Sequence, residues 1–199
     1  MLGNPPRDRK AERRAGTRAE ILAAAWALAH EQGLSGISLR DLGARVGMRA
    51  QSLYSYFDSK FAIYDAMFAE GNALLLERTS SLPSPRDPDA GLRAGARVFF
   101  TFCVEDPARY QLLFQRTIPG FEPSAESYAI AGKVLEAATA RLHAAGITTD
   151  RGRDLWTALL NGFADQQIAN DPGGDRWGRL LDDAIDMFLA HLRGPGGQY

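Results

Sequence analysis

One cysteine is all the thiol chemistry this 199-residue chain carries, so Cys103 can close no internal disulfide. No basic neighbour in the sequence would hold it as a thiolate, and a buried, inert side chain is expected. The three histidines, His30, His143 and His191, are scattered and make no zinc-ligand spacing. No apolar run approaches the roughly 18–20 residues that a membrane helix needs. The first 18 residues are polar and basic and lack the apolar centre of a secretory signal. A cytoplasmic protein is therefore expected. There is no nucleophile motif, no phosphate-cradling glycine loop and no metal set, which leads to the expectation of a non-enzyme without cofactor or metal. Asp182, Asp183 and Asp186 read as a solvated helix face. Strand signals are nearly missing too, and no internal repeat is found.

What is present is helix. The hydrophobic share of 45% can bury a real core, and the length allows one domain or two small ones. Net charge is −1, but unevenly spread. Residues 1–60 hold ten Lys/Arg against six Asp/Glu, and the remainder holds thirteen against eighteen. A basic head on an acidic body suits a head that meets a polyanion, although chance clustering and a solvated tail would look the same.

Thr17 and Glu20 have capping-box spacing, and Ile21, Leu22, Ala25, Leu28 and Ala29 follow as an amphipathic stripe that Gly33 is placed to end. A second helix starts at Ser38 and stops at Gly47. A third runs from about Arg49 to Phe57, and a fourth, capped by Asp58 or Ser59, runs toward Arg78. Pro83, Pro85 and Pro88 make residues 80–89 a loop and the natural break between head and body. Beyond it helices are expected at about 89–104, 107–115, 124–145, 151–170 and 176–193, punctuated by Pro107, Pro119, Pro123 and Pro172. The expected organisation is a disordered basic arm (1–14), a helix-turn-helix head (15–62), a helical body (63–193) and a flexible tail (194–199). The fold class is all-α, with a long fourth helix joining the three-helix head to the body.

The informative stretch is Ser38 to Lys60: two short helices on a tight turn at Gly47–Met48. The second opens with Arg49, Ala50, Gln51 and Ser52, small or polar groups that can approach base edges where bulky apolar groups could not. Leu53 and Phe57 point to the core. Tyr54 and Tyr56 face outward, either to donate to phosphate or to pack beside Leu53. Gln51 and Ser52 either read bases or are simply solvated. The basic arm, Arg7 to Arg18, either tracks DNA or is an idle tail.

These residues resemble the Tet-repressor family of bacterial regulators. The family pattern is met by Gly36–Ile37–Ser38–Leu39–Arg40–Asp41–Leu42, by Val46–Gly47–Met48, and by Leu53–Tyr54–Ser55–Tyr56–Phe57–Asp58–Ser59–Lys60, within about residues 15–65. The resemblance implies that Arg40 reaches DNA from beside the recognition helix. It also implies that Tyr54 and Tyr56 contact phosphate, that Lys60 anchors on the backbone, and that Arg49, Gln51 and Ser52 face bases. Arg49 departs from the usual capping Ser or Thr, and Ser55 from the usual Lys or Tyr.

The body is similar to one branch of that family. Glu105–Asp106–Pro107–Ala108–Arg109–Tyr110–Gln111–Leu112–Leu113–Phe114 resembles a stretch common there, and Trp156–Thr157–Ala158–Leu159–Leu160–Asn161–Gly162 resembles its W-x-x-x-h-G element, with Asn161 in place of the usual His. The resemblance implies a small-molecule effector in the body, and a homodimer built on the last two helices, near 151–170 and 176–193. Phe99, Phe102, Tyr110, Phe114, Tyr128, Trp156 and Asn161 are the candidate effector-binding residues, against the plain alternative of bundle core. Leu155, Leu159, Ile168, Leu180, Leu181, Ala184, Ile185 and Phe188 are the apolar candidates for the dimer face. The expected function is a repressor released from operator DNA by an effector; an activator or a ligand-independent regulator of the same fold is the alternative.

Overall fold

The computed structural model describes residues 9–83 and 85–194; the expectations for arm residues 1–8 and tail residues 195–199 lie outside them. Among the described residues there are nine α-helices and no strand. No helix among them is long and apolar enough to cross a membrane, and no cluster of three or more His, Cys, Asp or Glu could hold a metal.

The chain folds as two compact units, one made by residues up to Met67 with Arg116–Pro123, the other by Phe68–Gln115 with residues from Ser124 onward. The boundary falls inside a helix and not at the proline-rich loop, which instead folds back so that Pro85 lies against Gly91.

In the first unit, α1 (Arg9–Gln32) buries Ile21, Ala24, Ala25, Leu28 and Ala29. It runs straight through Thr17, so residues 9–14, expected in a disordered arm, are helical. Only Gly16 weakens this stretch, at about 1 kcal/mol, and Arg14 and Arg18 are held by aromatic rings farther along the chain. Gly33, at φ +76°, turns the chain out of α1. Ser38 caps α2 (Leu39–Arg45) by accepting from the Asp41 amide at 3.1 Å, and its hydroxyl donates to the Asp41 carboxylate at 2.6 Å. α3 (Ala50–Leu53) is shorter than expected. Tight turns finish it, the Tyr56 and Phe57 amides both bonding to the Leu53 carbonyl at 2.9 Å. α4 (Lys60–Ser80) starts in this unit and continues into the next. Ser59 caps it, accepting from the Ala62 amide.

In the second unit, α5 (Pro88–Glu105) is central; α6 (Pro107–Phe114), α7 (Ala125–Ala144), α8 (Asp150–Asn170) and α9 (Leu181–Arg193) surround it. Phe102, Cys103, Trp156, Ile185 and Phe188 are buried together in its core. The last helix begins at Leu181, five residues later than expected. The buried Gln167 carboxamide accepts from the amides of Trp177 and Gly178, and the Asp171 carboxylate accepts from that of Arg176. These bonds hold residues 171–178 in a loop. Cys103 is buried, and burial pushes its thiol well above its usual range, which disfavours the thiolate.

Candidate functional site

The turn between α2 and α3 brings the two helices close together. Gly47 has φ +68°, and the Met48 amide bonds to the Gly43 carbonyl at 2.8 Å. A Cβ on Gly43 would lie 2.7 Å from the Met48 carbonyl oxygen and 3.1 Å from the Ala50 nitrogen. Both are backbone atoms with nowhere to go, so only glycine lets the two helices approach this closely.

With Leu53 and Phe57 buried as anchors, Arg49, Gln51, Ser52 and Ser55 are exposed, and Tyr54 keeps 51% of its surface exposed. Tyr56 and Lys60 are half-buried and Arg40 is exposed. The candidate DNA-contacting residues are thus spread over α2 (Arg40), α3 and its flanks (Arg49, Gln51, Ser52, Tyr54, Tyr56) and the first residue of α4 (Lys60). The Ser55 hydroxyl donates to the Ser52 carbonyl at 2.7 Å, closing the end of α3. The side chains of Arg40 and Arg49 make no hydrogen bond or ion pair among the described residues. Lys60 carries its ammonium 5.4 Å from the Tyr64 ring centre. The Tyr64 hydroxyl donates to the Leu34 carbonyl at 2.5 Å, and burial pushes its pKa up to about 12.

Two features of this face escaped the sequence reading. The Arg18 guanidinium donates to the Tyr56 carbonyl and lies 4.1 Å from the Phe57 ring centre, gripping the end of α3 from α1. Arg9, Arg13 and Arg14 line a shallow groove with Thr17, Ser55 and Tyr56, and Arg14 stands 5.4 Å from the Tyr56 ring. The i, i+4 spacing of Arg9–Arg13 and Arg14–Arg18 was the available signal, since it places these groups on shared faces once the stretch is helical. Arg45 is used differently, forming a forked pair with Glu31 at 2.6 and 2.9 Å that ties α2 to α1.

Phe99 and Trp156 line an apolar chamber of about 60 Å³, with Leu75, Leu92, Val134 and Leu160. Thr79 and Arg141 supply its polar groups, and both were missed. The signal for Arg141 was a charge in register with Val134 and Ala138 on one stripe of α7. The other candidate effector residues lie apart from this chamber. Phe102 and Tyr110 are buried in the core, and Phe114 meets Phe99 edge-on and Tyr110 at a tilt. Tyr110 donates to the Asn161 carbonyl at 3.2 Å, burial pushing its pKa up to about 12. The Asn161 carboxamide donates to the Thr157 carbonyl of its own helix. Tyr128 is 49% exposed and packs edge-on against Phe68.

Of the apolar candidates for a dimer face, Leu181, Ala184, Ile185 and Phe188 are buried within the chain, while Leu159 and Ile168 pack half-buried on its core. Leu155 and Leu180 are exposed, and Met187 is 73% exposed. The amphipathic stripe of α9 therefore serves the chain's own core, and a different face of the last two helices is left uncovered.

Residues 21–67 match the family described as bacterial regulatory proteins, tetR family, and residues 92–192, half of the chain, match the tetracyclin repressor-like C-terminal domain. YobS of Bacillus subtilis (strain 168), described as an uncharacterized HTH-type transcriptional regulator, is 26% identical over 95 residues. That match spans 48% of this chain and about half the length of YobS. Solved structures match nearly end to end. The fatty acid degradation regulator FadR from Bacillus halodurans has a TM-score of 0.71 at 15% identity, covering 97% of this chain and 99% of its own. The regulator PfmR from Thermus thermophilus has a TM-score of 0.65 at 20% identity, covering 87% and 99%. FadR from Bacillus subtilis, solved in complex with stearoyl-CoA, has a TM-score of 0.65 at 14% identity, covering 86% and 97%. At such identities the likeness is one of fold; the matches of head and body are more specific, and by them this chain belongs to the tetR family of bacterial regulatory proteins.

Proposed function

We propose that this chain is a homodimeric transcriptional repressor that occupies double-stranded operator DNA in the cytoplasm and leaves it when a small effector enters the body. The observation that carries this reading is the anchoring of α3 through Leu53 and Phe57, which leaves Arg49, Gln51, Ser52 and Tyr54 exposed, with Arg40 exposed on α2. Arg49, Gln51 and Ser52 would meet base edges, and Arg40, Tyr54, Tyr56 and Lys60 phosphate.

The body offers two supports. Its apolar chamber suits an effector, and the FadR relative in fold was solved with a bound acyl thioester. Leu155, Leu180 and Met187 suit a partner copy across α8 and α9. The units are linked covalently, by α4 itself and by the passage from α6 into Arg116–Pro123, whose Phe121 packs on Phe61 and Tyr64 at 6.0 and 5.7 Å between ring centres. An effector that shifts either segment would alter how the paired heads match two half-sites about 34–36 Å apart.

Mapping protected sites on the protein's own genome tests the reading. Discrete sites whose occupancy falls with salt are expected, with repression of the adjoining gene. Protection together with raised transcription would make it an activator. Effector affinity, measured with and without saturating operator, should differ by about 5–150-fold in either direction of the cycle. Equal values would mean regulation without ligand release.

A further inference from the structure

We propose, resting on the reading of the body as an effector domain, that the effector is a short-chain aliphatic monocarboxylate whose tail fills the apolar chamber and whose carboxylate is taken by Arg141.

The chamber decides the tail. Its walls are Leu75, Leu92, Phe99, Val134, Trp156 and Leu160, and its volume is about 60 Å³. An apolar cavity of about 150 Å³ takes a benzene ring. Less than half that space suits a chain of a few carbons better than a ring.

Arg141 decides the head group. Thr79 is the other polar lining residue, and its hydroxyl is already spent on the carbonyls of Leu75 and Leu76 at 2.8 and 3.1 Å. Arg141 has donors to spare. Its half-buried guanidinium donates to the Thr79 carbonyl at 2.6 Å and pairs with no carboxylate among the described residues. A guanidinium carries five N–H groups in a fork that matches a carboxylate. The position is also a mouth: Arg141 lines both the chamber and a more open groove bounded by Pro85, Pro88, Gly91 and Ala144. Gly95 gives its stem room, since a Cβ there would lie 3.1 Å from Arg141 Cδ. An acid entering tail first would leave its carboxylate beside the guanidinium.

Binding then has a built-in output. Thr79 is in the last turn of α4, and its carbonyl is held by Arg141. A carboxylate is the stronger acceptor, so it draws Arg141 from Thr79 and frees the end of the helix that begins at Lys60.

The test uses the full chain and a series of straight-chain acids, butanoate to octanoate, with the matching primary amides and the coenzyme A thioesters, by calorimetry and by release of a mapped operator. The shorter acids are expected to bind and release DNA, with the amides and thioesters at least roughly tenfold weaker. Arg141→Gln should lose acid binding by a similar factor, and Arg141→Lys should recover part of it. Gly95→Ala, which crowds the arginine stem and keeps its charge, should weaken the acids with the melting temperature held. Acids that do not bind, amides or thioesters that bind as well as acids, or Arg141→Gln binding acids like the native chain would each overturn the proposal. In all these cases continued operator binding leaves the repressor reading standing, whereas a chain that protects no DNA site overturns that reading first.

Discussion

The two units differ in how often an arginine is tied to an acid on another helix. In the body, several arginines are tied to acids on other helices: Arg93 with Asp186, Arg97 with Asp182, Arg78 with Glu105, and Arg193 in a forked pair with Asp89. In the head, only Arg45 is spent so, on Glu31, among the described residues. Arg14, Arg18 and Lys60 lie against aromatic rings, and Arg40 and Arg49 face solvent. A ring or a carbonyl orients a cation without cancelling its charge. Net charge cannot report this difference; the partner of each cation can. It fits the head as the surface left open to a polyanion, and in the body it sets apart Arg141, which no acid pairs among the described residues and which lines the apolar chamber.

The largest expected effect comes from breaking the head alone. Gly43→Ala forces a Cβ against the backbone of Met48 and Ala50. It should cost the head about 1–3 kcal/mol or more and abolish operator binding. Calorimetry should find the body's unfolding unchanged, and a common loss in both would erase the distinction between the units. Next is the uncovered face of α8 and α9. Met187→Asp should turn a dimer with an interface of roughly 2,000 Å² into a monomer by sedimentation at micromolar concentration. A native chain that is itself monomeric would remove the dimer from the reading.

Smaller effects sharpen the comparison within the head. Lys60→Ala and Tyr54→Phe should weaken binding to all sequences alike, Lys60→Ala also making the salt slope shallower by about one unit. Arg18→Met should weaken binding about tenfold or more through loss of a charged hydrogen bond, with little change of slope, because its guanidinium positions Tyr56 and leaves phosphate to its neighbours. A full unit of slope lost with Arg18 would make it a phosphate contact instead. The smallest effect belongs to the body's own pairs. The Arg193 hydrogen bond and charge hold the Asp89 carboxyl below its usual range. A depressed folded pKa adds stability above the unfolded pKa, and that stability is lost as pH falls through the folded one. Asp89→Asn should therefore cost less than about 1 kcal/mol at neutral pH, the pair being partly exposed. The gap in melting temperature should close in acid; a gap that persists there would mean the carboxylate charge contributes nothing.

Much of the head was legible because its signals are local. A cap at Ser38, a glycine at the turn, and anchors at Leu53 and Phe57 lie within twenty residues and act over one or two helical turns. The start of α1 was misplaced because Thr17 and Glu20 imitate a cap, and the contact that the added turns make, Arg14 against the Tyr56 ring, joins residues far apart in the chain. The body was harder for the same reason. Its aromatic residues were visible, but whether Phe99 lines a chamber while Phe102 fills the core depends on which way neighbouring turns of one helix face.

Sequence alone determined the all-helical class, the helix-turn-helix and the positions around α3, because periodicity, caps and turn glycines are short-range properties of the chain. Tertiary structure alone decided which arginines remain unpaired, which face of α9 is used internally, and that Arg141 stands at the mouth of a chamber against the end of α4. Each of those outcomes turns on a partner tens of residues away in the chain, 62 in the case of Thr79 and Arg141. A distance along the chain says nothing of a distance in space until the helices have packed.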